Sequence, residues 1–188
     1  INIASGSTQN TLIGDEAGTA ITTADFNVAL GYLALSTDTL GSRSTAVGYQ
    51  ALSVQNFTSA TNSNNTAVGY LAGQKVTTGT SHTLIGAFAG DALTTGLGNT
   101  AVGTSALSAD TTGRYNVAIG ENALKVQNFS GSNNVYNVGV GRMAGENVTT
   151  GIQNTFVGGL AGDAFTDADF NTAIGYQTLS ADTQGSRS

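Results

Sequence analysis

Hydrophobic and polar positions recur along this chain in one nine-residue phrase. Its fullest form is Asn-Thr-Ala-Val-Gly-Tyr-x-Ala-Leu. The Gly falls at Gly14, Gly31, Gly48, Gly69, Gly86, Gly103, Gly120, Gly141, Gly158 and Gly175. Successive glycines keep a 17-residue spacing, broken only by a 21-residue step from Gly48 to Gly69 and another from Gly120 to Gly141. These two steps are four coils apart, which sets a second, 72-residue period. The longer period shows in side chains as well: Val54, Gln55, Asn56 and Phe57 return as Val126, Gln127, Asn128 and Phe129. A 17-residue period is too short for helical repeats, which need about 33 residues, or for a propeller blade. It fits one coil of a β-solenoid with two short strands and two turns. Thr, Val, Ile and Tyr favour strands, and Gly and β-branched residues count against helix in every stretch. The pattern predicts an all-β fold, a parallel β-solenoid of about ten 17- or 21-residue coils with a 72-residue super-repeat. One array, residues 1–188, is expected to fill the chain.

Stacking turns each repeat position into a column with a pitch of about 4.8 Å. Position one is Asn in eight of ten coils, with Ser44 and His82 as the exceptions, which predicts an amide ladder. Position four is always aliphatic, from Ile13 to Ile174, and is expected to be the inner core. That places Val102 inside. Position three (Leu12, Ala29, Ala46 and their equivalents) then faces outward, toward another chain. Position eight is Ala in nine coils, implying a thin coil. Positions seven and nine are expected to share one pocket, because apolar residues at seven accompany Gly at nine. In the recurring Thr-Thr-Gly phrase, at Gly79, Gly96, Gly113 and Gly151, the glycine is expected to supply a positive φ.

Composition narrows the function. The chain carries 12 acidic and 6 basic residues, a net charge of −6, so phosphate neutralisation and hence nucleic-acid binding are not expected. There is no Cys, which excludes disulfides, thiolate zinc sites and thiol nucleophiles. No apolar run reaches the ~20 residues of a membrane span. Gly is 26 of 188 residues, yet the regular spacing of the 39% hydrophobic residues counts against disorder.

The phrases at 65–69 (Asn-Thr-Ala-Val-Gly), 116–120 (Asn-Val-Ala-Ile-Gly) and 171–175 (Asn-Thr-Ala-Ile-Gly) resemble the head repeats of YadA-like trimeric autotransporter adhesins. Similar repeats occur in bacteriophage tail-fibre shafts. The resemblance covers all ten coils, although these are longer than is usual in that family. It implies a left-handed β-roll, three chains wide, with the repeat strand near the trimer axis. It implies a non-enzymatic structural and adhesive segment of an extracellular fibre on a cell or virion surface. The alternatives are a tail-fibre shaft and a carbohydrate-binding solenoid. The partners to expect are further copies of the chain, as a homotrimer or stacked end to end, and a host-surface glycan or protein. The array is expected to be a window on a longer repetitive chain.

Candidate chemistry is sparse. No catalytic, cofactor or metal site is expected. Tyr32, Tyr49 and Tyr70 occupy position six in successive coils and could contact a glycan, with a packing ladder as the alternative. Tyr176 recurs at the same position. His82, the only His, reads as a ladder substitution. Asp38, Asp110 and Asp182 recur at every fourth coil and read as turn caps or solvated groups. Asn56 and Asn128 head glycosylation sequons in the two longer coils.

Overall fold

The structure, a computed structural model, describes residues 9–131 and 134–187. It is all-β among these residues. Ten three-residue strands carry positions two to four of each coil: β1 (Thr11–Ile13), β2 (Val28–Leu30), β4 (Thr45–Val47), β6 (Thr66–Val68), β7 (Thr83–Ile85), β8 (Thr100–Val102), β9 (Val117–Ile119), β10 (Val138–Val140), β11 (Thr155–Val157) and β12 (Thr172–Ile174). They form one parallel sheet in chain order. Each position pairs with its equivalent in the next coil across the 17- and 21-residue intervals alike, as Thr45, Ala46 and Val47 pair with Thr66, Ala67 and Val68. The chain is therefore a β-solenoid of about ten turns. Among the described residues, the second strand expected in every coil is reduced to β3 (Gly41–Ser42) paired with β5 (Thr61–Asn62) and two isolated bridges, Thr80 with Leu97 and Arg114 with Asn134.

Backbone conformation explains the invariant glycines. Position five has φ between 124° and 143° in all ten coils, a region essentially closed to residues with a Cβ. A Cβ on Gly103 would also lie 2.6 Å from the carbonyl oxygen of Gly120 in the next coil. Positions seven and nine and the residue before position one also have positive φ, at Leu33 (55°), Leu35 (51°) and Phe26 (63°), for example. These kinks round the corners while the coil-to-coil ladder continues: the Leu33 N–H donates to Asp15 O and the Leu35 N–H to Ala51 O, both at 3.0 Å. The Thr-Thr-Gly glycines do not have positive φ. They are small because space is short: a Cβ on Gly96 would lie 2.5 Å from the Gly113 carbonyl oxygen.

The two faces of the strand are the reverse of the sequence expectation. Position three is the core: Leu12, Ala29, Ala46, Leu84, Ala101 and Phe156 are all buried. Position four lies on the outer face, with Ile13 42%, Leu30 43% and Ile174 67% exposed, and Val102 half-buried. Alternation assigns residues two apart to one face but does not say which face is inside. Volume does. Where position nine is Gly, position twelve is apolar and points inward, as Ile21, Val76, Leu93, Val148 and Phe165; where nine is a Leu, twelve is Asp or Gln. A Cβ on Gly90 would meet Leu93 Cδ1 at 2.8 Å and Leu84 Cδ2 at 2.7 Å. So positions three, nine and twelve share the interior. Position seven, half-buried or exposed throughout, takes no part in that pocket. The Ala column at position eight is buried from Ala17 to Ala161, as a thin coil requires.

Candidate functional site

Interior side chains tie each coil to the next. The first-position column forms the expected ladder, but its acceptors are met mainly by backbone. The N–H of Asn27 donates to Asn10 Oδ1 at 2.7 Å, that of Ser44 to Asn27 Oδ1 at 2.8 Å and that of Asn154 to Asn137 Oδ1 at 2.8 Å. The amide NH2 reaches across the coil instead, to a carbonyl 14 residues on, as Asn99 Nδ2 does to Gly113 O at 2.8 Å. One side chain thus holds its neighbour above and closes its own turn. Stacked Thr hydroxyls add further coil-to-coil bonds on the opposite wall, where Thr94 Oγ1 donates to Thr111 O at 2.9 Å.

His82 sits in this column, as expected, and is 1% exposed. Its Nδ1 accepts the Asn99 N–H at 3.2 Å. Burial pushes its pKa down to about 4, with the Gly96 and Asn99 backbone opposing it. The ring is neutral at pH 7.

Asp38 and Asp110 do cap turns, since the Gly41 and Gly113 N–H groups donate to their Oδ1 atoms at 2.9 and 3.0 Å. They are not solvated: both are fully buried, and only Asp182 is partly exposed. Each buried carboxylate ends a chain of donors. Asn137 Nδ2 donates to Gln127 Oε1 at 2.8 Å, and Gln127 Nε2 donates to Asp110 Oδ2 at 2.8 Å. Asn65, Gln55 and Asp38 repeat the arrangement four coils earlier. Burial raises the Asp110 pKa, with the Gln127 side chain and the Gly113 N–H opposing it. The signal for this buried group was present in sequence: Gln follows Asp one coil later in the same column. Within the longer coils, Phe57 and Phe129 fold inward and are buried beside these carboxylates, while Asn56 and Asn128 stay exposed. Both exposed amides accept from Thr hydroxyls, of Thr39 and Thr111, at 3.0 Å.

The outer surface carries the remaining candidates. Tyr32, Tyr49 and Tyr70 stack in a row with ring centroids 5.4 and 5.2 Å apart, and Phe88 meets Tyr70 edge-on at 5.3 Å. Tyr49 has both ring faces covered by its neighbours, while Tyr32, at the end of the row, stacks on one side only. Tyr176 stands apart, over Gly159. Tyr115 and Tyr136 form a second stacked pair at the other edge of the sheet, at 5.3 Å. Between these edges runs the aliphatic fourth-position column, flanked by the Thr and Val of position two. Among the described residues there is no enclosed pocket, no trio of acidic or His side chains placed to hold a metal ion, and no helix long and apolar enough to cross a membrane. Compared with protein-family models, curated proteins and solved structures, the chain matches none.

Proposed function

We propose that this chain is a structural and adhesive segment of an extracellular fibre, non-enzymatic, and that it associates with copies of itself through the outer face of its ten-stranded sheet. The observation that carries this reading is the exposed aliphatic column from Ile13 to Ile174, where Ile85 and Ile119 remain 39% and 38% exposed. A face of ten coils at ~4.8 Å by about six residues at ~3.3 Å, the strand with its flanking aromatic positions, covers roughly 950 Å². A specific interface takes about 800 Å² from each partner. Three such faces, each ~20 Å wide, close around an axis about 6 Å away. That is near half the ~10 Å spacing of packed sheets and suits Val, Ile and Thr. Four faces would leave a central channel. The trimer is therefore the favoured assembly.

Carbohydrate binding by Tyr32, Tyr49 and Tyr70 is the weaker reading, because stacking a sugar needs a free ring face and the rings of the row are largely spent on one another. Sedimentation tests the assembly. The chain is expected to run as a trimer, and Val102→Asp to shift it to monomer with its β-structure retained, since Val102 faces outward. A parent chain that sediments as a soluble monomer overturns the proposal.

A further inference from the structure

His82 is the one member of the first-position column whose acceptor acid can remove. On either side of it the acceptor is an amide oxygen: Asn65 Oδ1 receives the His82 N–H and Asn99 Oδ1 the Asn116 N–H, both at 2.9 Å. At His82 the acceptor is a ring nitrogen, Nδ1, holding the Asn99 N–H. Protonating Nδ1 sets N–H against N–H in a site closed to water, and puts a charge in the interior. The titratable groups on its own coil and on the two coils packed against it are Tyr70, Lys75, Asp91, buried Asp110, Arg114 and Tyr115. None of them is among the groups that shift the ring, so no counter-charge meets the imidazolium. The flanking coils are secured independently. Asn65, Gln55 and Asp38 bind one side together, and Asn116 with Asp110 and Gln127 the other.

We propose that His82 is an acid-operated break point: its protonation opens the stack at the coil of β7, and the coils on either side stay assembled. The direction follows from linkage. The ring titrates at about 4 in the folded chain and at 6.5 when opened. The opened form therefore binds the proton between these values. The joint is at full strength above pH ~7 and weakens as pH falls toward 4.

Hydrogen exchange of the full chain, resolved by mass spectrometry and corrected for intrinsic rates, tests this. Between pH 8 and pH 5 protection is expected to fall about thirtyfold over residues 80–103, with the outer coils holding theirs. His82→Asn, which restores the amide acceptor of the other coils, is expected to abolish that loss. His82→Ser, which introduces the residue type that Ser44 contributes to the same column, is expected to do the same. Equal loss in both variants, or a loss spread evenly along all coils, overturns the proposal.

Discussion

The wall that carries the sheet and the wall opposite it obey different rules. On the sheet wall, four of the first five positions scarcely change over ten coils: a ladder residue at one, Thr or Val at two, an aliphatic residue at four and Gly at five, while the inward-facing third varies from Gly to Phe. Backbone pairs with backbone in unbroken register there, and φ at position five admits nothing but Gly. The opposite wall has only β3, β5 and two bridges. Single backbone bonds still join its coils, as the Thr94 N–H donates to Thr111 O at 2.7 Å, but side chains such as the Asp caps, the Asn amides and the Thr hydroxyls reinforce them, and it absorbs the four extra residues of each longer coil. Where strand register runs unbroken, sequence is confined. Where side chains share in closing the coil, different side chains can serve, and the wall carries the 72-residue variation.

The sharpest break in this comparison is Gly103→Val. It combines a forbidden φ with a clash against Gly120, and should cost at least ~4 kcal/mol, enough to unfold the neighbouring coils in a urea titration. Asp110→Ala comes next. It strands Gln127 Nε2 and the Gly113 N–H in the interior and should lower stability by roughly 3 kcal/mol. Asp182→Ala removes the same turn cap at a partly exposed site, where the Gly185 N–H donates to Asp182 Oδ1 at 2.8 Å, and should cost under ~1 kcal/mol. Equal midpoints for those two variants would mean that burial of the carboxylate is immaterial. The smallest effect is expected for Thr94→Val, about 0.5–1 kcal/mol for one hydroxyl bond on the opposite wall. A loss as large as that of Gly103→Val would abolish the distinction between the walls.

Much of this was legible in the residues. A 17-residue period with two 21-residue steps, glycine at a constant phase and Asn at position one in eight coils specify a stacked parallel solenoid. The orientation of the strand was not, because Ala and Val at adjacent positions are both compatible with an interior, and small Ala suits a thin coil better than bulky Ile. Covariation among positions three, nine and twelve carried the answer, as when Phe156, Gly162 and Phe165 share one coil. Asp110 misled for a similar reason. Asp in a Thr- and Gly-rich turn suggests solvent, and only its in-column neighbour Gln127 indicates a buried partner. The positive φ at Leu33 or Leu107 had no residue signature at all, since the ladder and core packing impose it on side chains that would otherwise avoid it.

The hydrogen bonds that join coil to coil run along the rod, and this has a mechanical consequence. Tension between its two ends loads them in series, one coil after another, and never as a sheared block. Each 17-residue coil released yields about 60 Å of extended chain, in place of a rise of ~4.8 Å. A single chain under load is therefore a spool: it lengthens more than tenfold at modest force, dissipates the work of pulling step by step, and rewinds against the template of the coil that still holds.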